Sequence, residues 1–138
     1  MRYFNTFGGN PVSCAAGKAV LDIIQQDGLQ QRSQQIGDYL LQGLQRLAQR
    51  HELIGDVRGA GLFLGVELVS DRASKAPAAA ETRRVVNAMR ERGVLISAAG
   101  PRENILKIRP LLVFEREHAD LLLDVLDEAL ESLRATQP

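Results

Sequence analysis

Residues 54–69 read IGDVRGAGLFLGVELV, two apolar runs that meet at a pair of glycines. In Leu62–Val69 the residues Leu62, Leu64, Val66 and Leu68 alternate with others, so they share one face of a strand. Ile54–Arg58 reads as the strand before it, and the link through Gly59-Ala60-Gly61 makes the pair a hairpin. The glycines also invite comparison with the dinucleotide fingerprint G-x-G-x-x-G. Here the third glycine, Gly65, comes one residue late, and a strand follows where that motif requires a helix. A tight hairpin with close backbone approach is the better reading.

Working outward, Asn10 can cap a helix that carries Pro11 at its first position and runs to about Gln26, where Asp27-Gly28 stops it. From Leu29 to about His51, Ile36, Leu40, Leu44 and Leu47 recur at helical spacing with glutamines and arginines opposite. Beyond the hairpin, 70–80 is a polar loop containing Lys75 and Pro77. Glu81–Arg92 then places Val85, Val86 and Met89 on a helical face ending at Gly93. Val94–Ser97 predicts a third strand, 98–104 a turn around Gly100-Pro101, and Ile105–Arg109 a fourth strand ended by Pro110. Glu115 to about Arg134 predicts a closing amphipathic helix with Ala119, Leu122, Leu126, Ala129, Leu130 and Leu133 inward. The order ααββαββα predicts a two-layer α/β (α+β) domain. In it the second helix, the Glu81 helix and the last helix cover one face of a small, mainly antiparallel sheet, and the first helix packs less tightly.

The 138 residues suit one domain, and 17 basic against 17 acidic side chains leave no global field for nucleic acid or an anionic membrane. With no tryptophan and 4% aromatic residues, a base-stacking platform is disfavoured. No apolar run reaches the ~20 residues of a membrane helix, and the N-terminus lacks signal-peptide character. A single cysteine and two histidines provide neither an internal disulfide nor a spaced zinc set, so a reducing, cytoplasmic setting is expected.

Few residues stand out as candidates for chemistry. FNTFGGNPVSCAAG, residues 4–17, feeds a glycine turn into a helix N-terminus, which reads either as a phosphate site or as a well-capped helix. Lys107 and Arg109 share a strand face, either solvated or, for Arg109, suited to a two-donor clamp on a carboxylate. Cys14 reads as a packing residue, and His51 and His118 as surface or capping residues. Of the other two lysines, Lys18 reads as helix surface and Lys75 as loop.

Four stretches in order, TFGGNPVSCAAG from Thr6, IGDVRGAGLFLGVELV from Ile54, MRERGVLISAAGP from Met89 and NILKIRPLLVF from Asn104, resemble the C-terminal part of class III pyridoxal-phosphate-dependent aminotransferases. The resemblance covers nearly the whole chain. Within the family it is closest to the alanine–glyoxylate aminotransferase 2-like branch, which includes ethanolamine-phosphate phospho-lyases.

That resemblance implies pyridoxal phosphate as cofactor. It implies that Thr6, with the adjacent backbone of Phe7, reaches across a dimer interface to the phosphate of the partner's cofactor. It also implies that Arg109 binds the substrate carboxylate, although Leu111 replaces the family's usual second proline. In the family, the lysine that binds the cofactor and the aspartate at its pyridine nitrogen precede TFGGNP, and only Met1–Asn5 precede Thr6 here. Residues 1–27 are therefore expected to be a motif loop and connecting helix from a large domain, and 28–138 the C-terminal small domain. The chain alone is expected to be inactive, with a second copy and the large cofactor-binding domain as partners. Its parent would be a transaminase. The alternatives are an amino-alcohol-phosphate phospho-lyase domain and a free-standing, self-associating, non-catalytic module.

Overall fold

The computed structural model describes residues 4–6 and 8–134. Helix α1 spans Pro11–Gln26 and α2 spans Leu29–Arg50. Asn10 caps α1 as its side-chain oxygen accepts the Val12 and Ser13 N–H groups at 3.0 and 3.1 Å, with Pro11 beginning the helix. No residue of α1 is buried, and α2 is the one element it packs against among the described residues. The longer α2 buries Leu40, Leu44 and Leu47 along the stripe that its sequence periodicity marks.

The hairpin consists of β1, Ile54–Ala60, and β2, Phe63–Asp71, paired antiparallel with Ala60 opposite Phe63. Gly61-Leu62 is the two-residue loop, and the Leu62 N–H donates to Ser33 Oγ on α2 at 3.3 Å. A short β3, Ala76–Pro77, adds to β2, and α3 spans Ala79–Glu91. Then β4, Ser97–Ala99, and β5, Ile105–Ile108, complete the sheet in the order β1-β2-β5-β4, and α4, Arg116–Arg134, closes the chain. Every strand pair is antiparallel.

One sheet face carries Leu64, Val66, Leu68, Leu106 and Ile108, all buried, against α2 and α3. Helix α4 lies across both helices and adds Leu126, Ala129 and Leu130 to the same core. The opposite sheet face, carrying Phe63, Gly65 and Lys107, has no helix on it among the described residues. The expected two-layer fold is therefore present.

Three local expectations need correction. The strand predicted at Val94–Ser97 lies at Ser97–Ala99, because Gly93 at φ +86° ends α3 in a Schellman motif. Its N–H bonds Arg90 O and the Val94 N–H bonds Met89 O, which ties residue 94 to the helix end. The 70–80 loop contains β3, whose two residues are too few for an alternation signal. Cys14 is exposed rather than packed, since α1 buries nothing.

Candidate functional site

Leu106 and Ile108 turn into the core, so Lys107 is left on the exposed side; β5 ends at Ile108, one residue short of the expected Arg109, and Arg109 follows it, exposed, ahead of Pro110. Beyond it, a turn closed by Phe114 N–H to Leu111 O at 3.0 Å leads the chain into α4. Between the end of β5, the 93–97 segment and the start of α4 lies a groove of about 640 Å³ lined by Lys107, Arg109, Phe114 and His118. Leu95, Ile96, Leu121 and Leu122 form its apolar walls.

The imidazole of His118 is fixed from behind. Its Nδ1 accepts the Glu115 N–H at 3.1 Å, and its ring lies 5.4 Å from the Phe114 ring, centroid to centroid. An accepting Nδ1 carries no proton, so in the neutral ring Nε2 is the donor. His118 thus caps the start of α4 as the sequence suggests, and also lines the groove. No carboxylate lies within ion-pair distance of Arg109 or Lys107 among the described residues, and no Asp or Glu lines the groove.

Thr6 stands apart from this groove. It is exposed on the turn ahead of α1 and is not part of the groove lining; Phe7 lies outside the described residues. Because Asn10 already takes the Val12 and Ser13 N–H groups, those donors at the α1 N-terminus are not free for phosphate. The Thr6 hydroxyl remains. Within one chain, Thr6 and Arg109 are not brought into a common pocket.

A polar cluster around the buried His51 at the far end of α2 had no signal in the sequence. His51, the C-cap of α2, is only 2% exposed, so it is a capping residue but not a surface one. Its Nε2 meets Asp127 Oδ1 on α4 at 2.5 Å, while Arg50 donates to Asp127 Oδ2 at 2.6 Å. Burial pushes the Asp127 carboxyl up, but the hydrogen bonds from His51 and Arg50 outweigh it and hold the carboxyl below its ordinary range. Arg72, from the predicted loop, donates to the carbonyls of Ala48, His51 and Glu52 and closes the end of α2. On the open sheet face, side-chain hydrogen bonds to Asp56 and Glu67 raise the Arg58 guanidinium further above its already high value. Asp127 lies more than seventy residues from Arg50 and His51, too distant in sequence for any pattern to pair them, whereas Asp56 and Arg58 are two residues apart on one strand face.

The cofactor implied by the resemblance can be tested against these residues. A cofactor held through a lysine needs an amine in an enclosed site. Lys18 is bound to Asp22 at 2.6 Å on the surface of α1, with its side chain 75% exposed; Lys75 and Lys107 are also exposed. The exposed Thr6 hydroxyl fits an edge contact to a phosphate.

Residues 2–130 match the family described as aminotransferase class-III. The chain is 49% identical over 131 residues to a mitochondrial alanine–glyoxylate aminotransferase 2 homolog of Arabidopsis thaliana, covering 95% of this chain and 28% of that protein. Among solved structures it superimposes with a TM-score of 0.87 on a phospholyase from Arthrobacter in complex with phosphoethanolamine, at 49% identity, covering 99% of this chain and 31% of that one. It superimposes with a TM-score of 0.82 on a PLP-bound amine transaminase from an uncultivated Pseudomonas species, at 34% identity over 96% of this chain and 30% of that one. The chain thus spans about a quarter of the length of the curated relatives it matches. With the fold shared and the match running nearly end to end, the chain belongs to the class III aminotransferases, a family dependent on pyridoxal phosphate.

Proposed function

We infer that this chain is the small C-terminal domain of a pyridoxal-phosphate-dependent aminotransferase, with 1–27 a motif loop and connecting helix and 28–138 the domain proper. Arg109 is the observation that carries the reading: a guanidinium on a groove with apolar walls and no acid lining it. Its planar fork would hold a substrate carboxylate through two parallel donors and so orient the amine, while Leu95, Ile96 and Phe114 would offer apolar contact to the carbon chain. When bound, the cofactor supplies the electron sink for amino-group transfer. Thr6 would donate its hydroxyl to the phosphate of a cofactor seated in a partner subunit. None of the three lysines is enclosed, so the chain alone is proposed to be inactive, and to act with a large cofactor-binding domain in a homo-oligomer.

A second reading, elimination of phosphate from an amino-alcohol phosphate, is supported by the 49% identity to a phospholyase solved with phosphoethanolamine. The test is to assay the purified chain with pyridoxal phosphate. The same assay is run on a chimera in which the chain replaces the C-terminal segment of its Arabidopsis relative. The chain alone should show no turnover. Amino-group transfer from alanine to glyoxylate by the chimera supports the first reading, and phosphate release from phosphoethanolamine the second. Turnover by the chain alone that scales with protein would overturn the proposed inactivity.

A further inference from the structure

His51 closes α2 from inside the fold, and its two ring nitrogens differ in their bonding. Asp127, held ionised and bonded also by Arg50, can only accept, so the His51 Nε2 that meets it at 2.5 Å carries the proton. In the neutral ring Nδ1 is then an acceptor. It is the one buried side-chain nitrogen or oxygen among the described residues that has no hydrogen-bond partner. Folds seldom leave such an atom unpaired, because its bond to water is given up with nothing in return.

His51 also lines a cavity of about 460 Å³, within the roughly 300–1,000 Å³ usual for small-molecule sites. The cavity lies where the end of α2 meets the end of β2, the start of α3 and the last turn of α4, and it shares no lining residue with the groove of Arg109. Leu53, Val69, Leu130 and Leu133 give it apolar walls. Its other polar groups are engaged within the fold or offset one another. Arg72 donates to the carbonyls of Ala48, His51 and Glu52, and Asp71 receives the Ser74 N–H and hydroxyl. Glu81 and Arg134 bring opposite charges to the lining. An anion at Nδ1 would meet a lone pair, and an ammonium would sit near the Arg72 guanidinium, which is bonded to the His51 carbonyl at 2.9 Å. What remains is a neutral donor on an apolar body.

We propose that this cavity binds a small neutral molecule with a hydroxyl on an apolar body, of the size and chemistry of a phenol, the hydroxyl donating to His51 Nδ1. The leucine and valine walls take the ring, and the hydroxyl satisfies the acceptor that the fold leaves unpaired. Because Nδ1 is buried, the occupant reaches it as a wall side chain turns aside, for which half-buried Leu53 and exposed Arg72 have room. The site stands or falls independently of the reading of Arg109.

The test is a titration of the ¹⁵N-labelled full chain with phenol and, separately, toluene at pH 8, where phenol is uncharged because phenolic groups titrate at about pH 10. Phenol should move the His51 Nδ1 resonance and amides in 69–73 and 130–134, while toluene moves the amides alone. Toluene is the more apolar of the two, so the ratio of their affinities is read rather than either one. In His51→Phe that ratio should shift toward toluene by about three- to tenfold, the net worth of one hydrogen bond. A His51 Nδ1 resonance unmoved by phenol, shifts confined to 93–97 and 107–110, or a ratio unchanged in His51→Phe would each overturn the proposal. Should His51→Phe fail to fold, the Nδ1 resonance of the unaltered chain decides alone.

Discussion

Gly37 on α2 lies directly against the backbone of Gly61 at the hairpin tip; a Cβ on Gly37 would lie 2.1 Å from the Gly61 carbonyl oxygen. Gly61 in turn has φ +51°, as its two-residue loop requires. The hairpin and α2 can approach this closely because neither residue has a side chain at the contact. Ser33, one turn earlier on α2, holds the loop by accepting the Leu62 N–H. Gly37→Ala should therefore destabilise the domain by about 1–3 kcal/mol or more, since backbone has to move to make room. Gly17→Ala, in open space on α1, should be neutral or mildly stabilising. Urea midpoints of the two variants give the comparison, and equal midpoints would contradict the tight packing at Gly37.

The His51–Asp127 contact predicts a pH dependence. Asp127 has its carboxyl held below the ordinary range when folded, so its contribution is full above the unfolded value of about 3.9. That contribution is lost as pH falls through the lower folded value. Asp127→Asn should destabilise by roughly 1–3 kcal/mol at pH 6, leaving His51 with a weaker partner. The gap between variant and parent should narrow below about pH 3.9. Denaturant unfolding at pH 6, 4 and 3 measures it, and a gap that widens on acidification would reverse the sign.

Arg109 and Thr6 should fail differently in an intact enzyme that carries this segment. Arg109→Lys keeps the charge but loses the planar fork, so amino-acid substrates should bind less well while cofactor retention is unchanged. Thr6→Ala should instead speed cofactor loss, as one hydrogen bond to a charged phosphate contributes about 1.5–3 kcal/mol. Substrate titration and cofactor dissociation on both variants separate the roles. Indistinguishable defects would mean that both residues serve folding.

Self-association should follow from α1. Leu21 is 66% exposed and Ile23 52% exposed, beside Val20, on a helix that buries nothing. An apolar surface of this kind recruits a second surface, and a symmetric dimer is the commonest outcome. Sedimentation over a range of concentrations should show mass action, reduced by the double substitution Leu21→Lys and Ile23→Lys. A monomer at every concentration would contradict this prediction.

Local chemistry written in the sequence accounts for most of the elements. The Asn10-Pro11 cap, the α2 stripe and the alternation in Leu62–Val69 and Ile105–Arg109 each depend on neighbours a few residues away, and each element formed where those signals stand. The family, too, is legible in four short motifs, because they are contiguous. What needed the tertiary structure is whatever depends on residues far apart along the chain. The seat of Ser97–Ala99 as the edge strand depends on how the end of α3 is bonded. The burial of His51 against Asp127 and the capping of α2 by Arg72 have no local pattern. The groove itself exists because β5, the 93–97 segment and α4 meet there. Sequence could place Lys107 and Arg109 on one strand face; only packing shows that no carboxylate lines the groove with them, since a salt bridge depends on distance in space and not on separation in sequence.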